Sequence, residues 1–287
     1  MLWLVLAFGS ALFESLKDLF SKKGLQQIDP YIVAWAMPLY ALPFLMATLF
    51  FIDIPALEPR FWPALVGSGL LNVGAAVLFM KAIQRSDLSV TVPLVTFTPI
   101  FLLLTSPILV GEFPRPLGLA GVVFIVLGSY ALHLREWRNG ILAPFRALLS
   151  ERGPQLMLVA SVLWSVTANL DKIAIQASSP RFYPVAVIAF VATALAPLAI
   201  WRSQGQARVI ATRWRNLLPV GFFVALTLSV QMTALSLALV AYVIAIKRLS
   251  TVLSVLWGHL VFGEHGLAER ALGAGVMVVG VFLIAVS

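Results

Sequence analysis

Long apolar segments alternate with short polar ones along the whole chain. A membrane hydrocarbon core about 30 Å thick is crossed by about 20 helical residues, and most of the apolar segments have about this length. The pattern predicts ten membrane-spanning helices, called spans 1 to 10 in chain order. Their limits are 2–21, 31–52, 61–83, 88–109, 115–134, 154–176, 182–202, 216–237, 240–262 and 268–286.

The composition agrees with a polytopic membrane protein. Of the 287 residues, 61% are hydrophobic and only 11% are charged, values that exclude a soluble globular domain. The net charge of +8 does not indicate a nucleic-acid partner, because most basic residues lie in short loops between apolar segments. The chain has no cysteine and its histidines show no metal-ligand spacing, so we expect no cofactor and no metal.

The distribution of Lys and Arg between the loops predicts the orientation. Odd-numbered loops hold twelve of these residues and even-numbered loops hold three. By the positive-inside rule the odd loops are cytoplasmic, so both termini are expected outside a bacterial-type cytoplasmic (inner) membrane. Span 1 is not a signal peptide, because it carries Glu14, Lys17 and Asp18 where a signal sequence is apolar.

The second half of the chain repeats the first. Because each half has five spans, an odd number, the two copies must be inverted relative to each other, an arrangement typical of secondary transporters. A shift of 153 residues aligns Ala7 with Ala160 and Asp18 with Asp171. A shift of 152 residues aligns Gly111-Glu112 with Gly263-Glu264, Gly121 with Gly273 and Gly128 with Gly280.

The repeats divide the chain into two units and a linker. We expect a first repeat over residues 1–134, a cytoplasmic linker over 135–153 and a second repeat over 154–287. The linker has apolar residues such as Phe145 at helical spacing, with Arg146 beside them, which predicts a short helix on the membrane surface.

Two motifs carry a resemblance to a known family. The pattern PxFxxLxxxxxxGE occupies Pro99 to Glu112, and KRLSxxLSxxxGxxxFGE occupies Lys247 to Glu264. With their glycine-rich following spans, they resemble the two EamA repeats of the drug/metabolite transporter superfamily. The resemblance implies ten transmembrane helices around a central cavity, lined mainly by spans 1, 3, 4, 6, 8 and 9, that carries small metabolites.

Span 9 contains two adjacent cations, Lys247 and Arg248, near its middle. Each costs about 2.5 to 3.5 kcal/mol at the centre of a membrane helix, so the pair must face protein, water or a charged ligand. Lys247 shares a face with small polar residues that include Ser254, as a cavity wall would. The pair and Ser254 are candidate substrate ligands, and an internal salt bridge that only fixes packing is the alternative for the pair.

Span 1 carries Glu14, Lys17 and Asp18 on one face. Small multidrug-resistance proteins, which belong to the same superfamily, use a first-helix glutamate for proton and cation coupling, and Glu14 is similar in depth. Glu14 and Lys17 are candidate substrate ligands, and Glu14 and Asp18 are candidate proton-coupling residues. A purely structural pair between Glu14 and Lys17 is the alternative.

Further candidates lie on other spans. Trp164, Asn169 and Tyr242 are predicted substrate ligands, whereas Lys172 and Lys81 are read as interface anchors. The glycines of spans 5 and 10 predict close helix packing, either within a monomer or in a homodimer. The predicted gate or hinge elements are Pro93 and Pro99 in span 4, with Glu112 and Glu264 as caps at the cytoplasmic boundary.

These features predict a secondary transporter that moves a small polar metabolite, such as an amino acid or related zwitterion, by alternating access. Export is the commoner role in the family that the chain resembles. A transporter of phosphorylated or dicarboxylic anions is an alternative, because plastid phosphate translocators resemble this chain in an adjacent Lys-Arg pair on span 9. An intramembrane enzyme or a sensor is the alternative of another class, although no catalytic motif is present.

Overall fold

The computed structural model describes residues 1–24, 29–85, 92–132, 150–202, 211–262 and 267–287. Within these ranges the regular structure is helical and contains no strand. The predicted surface helix of the linker lies outside the described residues. The α-helices are α1 Leu2–Gly24, α2 Pro30–Thr48, α3 Phe61–Ile83, α4 Thr98–Leu109, α5 Pro116–Ala131, α6 Arg152–Gln176, α7 Tyr183–Arg202, α8 Trp214–Leu237, α9 Val240–Lys247, α10 Ser250–Phe262 and α11 Leu267–Ala285.

Many of these helices can cross a membrane by length and composition. Six described segments are long and apolar enough, and α1 is not among them because it carries the three charged residues Glu14, Lys17 and Asp18. The six segments are Tyr31–Phe51, Phe61–Ile83, Arg152–Gln176, Tyr183–Trp201, Trp214–Leu237 and Val240–Val261. The shorter apolar helices are Leu94–Leu109, Pro116–Ala131 and Ala271–Ala285.

Span 4 is not one continuous α-helix. A 3₁₀ segment, Val92–Phe97, precedes α4. Proline is the physical reason, because Pro99 has no N–H to donate and its ring would clash with the carbonyl of residue 95 in a regular α-helix. The Thr98 hydroxyl takes over and donates a hydrogen bond of 2.7 Å to the Val95 carbonyl oxygen. The regular α-helix of the span therefore begins only beside Pro99, one of the two prolines of the predicted hinge.

Span 9 is interrupted at the equivalent position. The backbone N–H groups of Arg248 and Leu249 donate to carbonyls three residues earlier, at 3.0 and 2.9 Å, instead of four residues earlier. This tightening separates α9 from α10 directly after Lys247. Since α4 begins at Thr98 and α10 at Ser250, the two α-helices start 152 residues apart, the same shift that aligns the repeats. Both repeats therefore contain an interrupted helix at the same point.

Helices α5 and α11 cross through their glycines and show that the repeats are inverted. Gly121 lies against Gly280, and Gly128 lies against Gly273, so the two helices run in opposite directions. A Cβ atom added to Gly121 would lie 2.6 Å from the carbonyl oxygen of Gly280. Each helix is the fifth of its repeat, and fifth helices that run antiparallel require inverted copies. The glycine faces therefore pack within the monomer.

The remaining contacts follow the same symmetry. Helix α1 packs along α8, and α6 packs along α3, which are equivalent pairs when span 1 is exchanged for span 6 and span 3 for span 8. Both chain termini lie at one end of the bundle, because Trp3 stacks on Tyr242 and the hydroxyl of Ser287 donates to the hydroxyl of Tyr242. The even-numbered loops lie at this end as well, as the contact of Arg115 with Ser287 indicates.

We predict that Gly121→Val destabilises the protein, because the new side chain would overlap the backbone of α11. Overpacking of this kind costs about 1 to 3 kcal/mol, or more where two backbones are in contact. The measurement is the thermal unfolding temperature of the purified protein in detergent. Gly275→Ala is the matched control on the opposite helix, because a Cβ atom there meets nothing within 4 Å. Equal melting temperatures for both variants would contradict the packing described.

Candidate functional site

The candidate site begins with a network of charges on α1. Lys17 lies between two carboxylates, with its Nζ atom 2.7 Å from Glu14 Oε1 and 3.0 Å from Asp18 Oδ1. Glu14 and Lys17 are three residues apart, a spacing that brings helical side chains together on one face. A single ammonium group therefore partly neutralises both acids of span 1.

The network extends from α1 to α8 and α9. Lys247 Nζ lies 3.7 Å from Glu14 Oε2, and it donates a hydrogen bond of 2.8 Å to Gln231 Oε1. Glu14 thus receives a cation from its own helix and another from the second repeat. The predicted groups of spans 1 and 9 meet, and Gln231 joins them although sequence reasoning did not single it out. Its signal was an amide in the middle of apolar span 8.

These charged side chains are only partly buried. The exposed fractions are 23% for Glu14, 17% for Lys17, 22% for Lys247 and 47% for Asp18. Helix α10 forms part of the surrounding wall, since Ser254 Oγ lies 3.4 Å from Asp18 Oδ2 and Trp257 Nε1 donates to Ser15 Oγ at 3.1 Å. Asp18, the most exposed of the four, is near the end of α1 that leads into the first loop.

Arg248 gives the site an excess of positive charge. Its Nε atom is buried and has no hydrogen-bond partner, and no ion pair joins its side chain to a carboxylate of the described chain within 4 Å. With Lys17 and Lys247 it makes three cations beside the carboxylates of Glu14 and Asp18, a net charge of +1. An unpaired guanidinium nitrogen in a low-dielectric site favours binding of an anionic group.

The opposite end of the bundle is closed by Glu112. Gly111 has a φ of 70°, a left-handed conformation that ends α4 and that glycine adopts without steric cost. The turn brings Glu112 against Lys172 of α6, and Glu112 Oε2 accepts a hydrogen bond of 3.0 Å from the N–H of Val240 at the start of α9. This contact gives the Gly-Glu motif a physical role, since glycine makes the turn and the glutamate joins three helices.

Lys172 is not an interface anchor. Its side chain is 8% exposed, and beside Glu112 it donates a hydrogen bond of 2.7 Å to the Ala238 carbonyl oxygen at the end of α8.

The sequence predicted a cytoplasmic Glu112 together with termini outside the membrane. Glu112 lies at the end of the bundle that carries both termini, so these two predictions cannot both hold and their combination is wrong. The loop after span 4 is even-numbered, which assigns Glu112 to the side of the termini.

Asp171 forms a second buried polar group near the closed end. Its side chain belongs to a residue that is 6% exposed, and its Oδ1 atom accepts hydrogen bonds of 2.5 Å from both Ser68 Oγ and Tyr183 OH. Asn72 donates in turn to Ser68 Oγ at 3.2 Å. Sequence reasoning aligned Asp171 with Asp18 but did not include it in the site.

The other predicted ligands lie apart from the charged network. Trp164 packs against Phe79 of α3, with ring centroids 5.8 Å apart. Asn169 is fully buried and donates hydrogen bonds to Thr105 Oγ1 at 3.0 Å and to the Ser165 carbonyl at 2.9 Å. Tyr242 lies at the closed end in its contacts with α1 and the C-terminus.

The predicted hinge and gate residues have different outcomes. Pro93 lies in the 3₁₀ segment and Pro99 is buried at the start of α4, so both belong to the interrupted part of span 4. Glu264 lies outside the described residues. Within the described ranges no cluster of three or more His, Cys, Asp or Glu side chains could hold a metal ion.

Comparison with known proteins agrees with this architecture. The sequence profile of the EamA-like transporter family matches residues 1–134 and 152–286, one match in each half of the chain. A crystal structure of another protein has a TM-score of 0.79 and 16% sequence identity, covering 99% of this chain and 96% of that chain. At this identity the likeness concerns the fold alone. In all, 29 chains of solved structures match, and no curated protein matches.

We predict that Glu112→Gln lowers stability, because it leaves the buried Lys172 without its counter-ion. Removing one partner of a buried ion pair costs about 3 to 5 kcal/mol, whereas an exposed pair contributes about 1 kcal/mol or less. Glu58→Gln is the matched control, since Glu58 pairs with Arg60 at an exposed loop. Thermal unfolding in detergent measures both variants. If the two lose the same amount, Glu112 does not join the helices as described.

Proposed function

Because this chain belongs to the EamA-like transporter family, we propose that it is a secondary transporter of a small polar metabolite that works by alternating access. Membership of this family supports a membrane transporter of small molecules rather than an enzyme. In the proposal ten spans cross the membrane as two inverted repeats, residues 1–134 and 154–287, joined by the linker 135–153. The membrane is a bacterial-type cytoplasmic membrane with both termini outside, and the protein acts as a monomer or a homodimer.

The observation that carries the proposal is the partly exposed charge network between the two repeats. Lys17 and Lys247 each lie within 4 Å of Glu14, yet about one-fifth of each of the three side chains is exposed. A network that served only packing would be sealed from water, because water competes with such pairs and weakens them. Exposed charges at membrane depth are typical of a substrate pathway.

The distribution of charge favours a zwitterionic substrate. Arg248 and Lys247 offer donors to a carboxylate, and Arg248 has a nitrogen that no described group satisfies. Asp18 is half exposed and can accept hydrogen bonds from an ammonium group. An amino acid presents both groups, separated by a single carbon, and Ser254 stands beside Asp18 to complete the polar wall. A dianion would gain the cations but would be repelled by Asp18.

In the proposal the transporter exports its substrate, and the present state is the one that loads it. Lys172 and Glu112 close the end that carries the termini, while Asp18 is exposed towards the odd-numbered loops. If the odd loops are cytoplasmic, this conformation is open to the cytoplasm and would load a metabolite from inside. Tyr242 and its partner Trp3 would then belong to the outer seal.

The same network can couple transport to a proton. Glu14 and Asp18 are carboxylates that can be neutralised either by a cation or by a proton. The ammonium group of a substrate and a proton would compete for these carboxylates, which is the basis of exchange between them.

We predict that Arg248→Gln and Lys247→Gln each lower amino acid flux into proteoliposomes at least tenfold, since loss of a charged hydrogen bond costs about 1.5 to 3 kcal/mol. Purified protein is first screened by thermal shift against amino acids, sugar phosphates and dicarboxylates, and flux is then measured with the compound that stabilises it most. Arg60→Gln, an exposed loop cation, is the control and keeps wild-type flux.

The outcome of this screen separates the substrate classes. Stabilisation by sugar phosphates or dicarboxylates but not by amino acids would replace the zwitterion by an anion, and the Arg248 variant would still lose flux. Wild-type flux in both the Lys247 and Arg248 variants would contradict the proposed site. Chemical turnover of a bound compound without flux under any gradient would contradict the transporter itself.

We further predict that Glu14→Gln uncouples flux from the proton gradient. In wild-type proteoliposomes an imposed pH difference should accelerate accumulation of the substrate, and the variant should show the same rate with and without the gradient. Asp18→Asn tests the other candidate proton site in the same way. If both variants respond to the gradient as the wild type does, neither carboxylate couples a proton.

A further inference from the structure

Asp18 and Asp171 occupy equivalent positions in the two repeats but have opposite environments. They are 153 residues apart, in α1 and α6, the first helices of the inverted halves. Asp171 is 6% exposed and is bound by two hydroxyl groups. The side chain of Asp18 is 47% exposed and lies beside Lys17 and Ser254. Two copies of one sequence position therefore show a sealed and an open form.

The tyrosine that binds Asp171 has an equivalent as well. Tyr183 begins α7, directly after the loop that follows α6, and its hydroxyl donates to Asp171. Tyr31 lies 152 residues earlier, in the first turn of α2, after the loop that follows α1. In this structure Tyr31 lines an apolar cleft between α2, α3 and α7, with Met80 and Leu195 among its neighbours.

We propose that the two Asp–Tyr pairs are alternating latches. In the present state the latch of Tyr183 and Asp171, supported by Ser68, holds the first turn of α7 to the last turns of α6 and seals the end that carries the termini. In the opposite state Tyr31 binds Asp18, seals the end of the odd-numbered loops, and the Tyr183 latch opens. The inference rests on the alternating access proposed above, because inverted repeats exchange their conformations when access changes side.

The physical basis is the cost of the open form. A carboxylate buried at membrane depth must be hydrogen-bonded, and two short hydroxyl donors satisfy Asp171 without a cation in contact. When the latch opens, water replaces those donors, so the carboxylate is satisfied only if its end of the bundle is wet. Release of the tyrosine is therefore linked to opening of the same end of the bundle. If both latches were closed at once, the site would be accessible from neither side.

The absence of cysteine from the chain makes the test direct. Ser254→Cys reports on the end of the odd-numbered loops, since Ser254 lies beside exposed Asp18. Thr105→Cys reports on the other side, since Thr105 lies between α4 and α6 beside Asn169. Each reporter is labelled in proteoliposomes with a membrane-impermeant maleimide added from the side that it faces, and the rate of labelling is measured.

Tyr183→Phe removes the hydroxyl of the closed latch and keeps its ring. We expect labelling of the T105C reporter to rise roughly three- to tenfold and labelling of the S254C reporter to fall, in line with the loss of one hydrogen bond. Ser68→Ala removes the second donor and should shift both rates in the same directions. Tyr31→Phe, the same change at the equivalent position, weakens only the opposite state and should lower labelling at T105C.

The opposite signs of the two tyrosine variants are the decisive result. General destabilisation would shift the labelling rates of both variants in the same direction. That outcome, or labelling rates equal to the wild type in both variants, overturns the latch. Flux measured in parallel on vesicles of the unsubstituted protein, which keeps Ser254 in the proposed site, separates this from the proposed function. Substrate flux with labelling that ignores both tyrosines removes the latch alone, whereas labelling that responds as expected without any flux removes the transporter and keeps the latch.

Discussion

The structure depends on the cost of placing ionised groups in a medium that cannot solvate them. In a hydrocarbon core a lone carboxylate or ammonium would either lose its charge or exclude its helix from the membrane. Glu14 avoids this because Lys17 approaches it from α1 and Lys247 approaches it from α9. The two repeats are thus joined at one acidic side chain, and the Nε atom of Arg248 beside them has no hydrogen-bond partner.

Lysines of spans 1 and 6 are both neutralised by carboxylates, but they lie at opposite ends of the bundle and differ in burial. Lys172 is closed off with Glu112 and an α8 carbonyl, so its charge contributes to a seal. Lys17 contacts its two carboxylates, but its side chain is still partly exposed and can contact water. The burial of a lysine side chain therefore distinguishes a structural cation from a candidate functional one more clearly than its position along the predicted span does.

Sequence predicted most of the helices because a span must be both long and apolar, and that signal is local. It also predicted the proline-dependent break in span 4 and the charges of spans 1 and 9. It could not assign a role to Lys172. A lysine that extends to the membrane interface and a lysine that pairs with Glu112 have the same local sequence, and only a contact between residues 60 positions apart distinguishes them. Gln231 and Tyr183 were missed for the same reason, because each acquires its role from a partner on another helix.

The interrupted helices give the symmetry a mechanical meaning. Thr98 and Ser250 begin their α-helices at equivalent positions, yet Pro99 accompanies only the first break, whereas Lys247 and Arg248 adjoin only the second. A proline break is fixed by covalent structure and remains in every state. No proline fixes the break in span 9, where the hydrogen bonds of Arg248 and Leu249 to carbonyls three residues earlier mark the change from α9 to α10. The two halves therefore share one geometry although a proline is present at only one of the two breaks, so equivalent breaks arise from different local sequences.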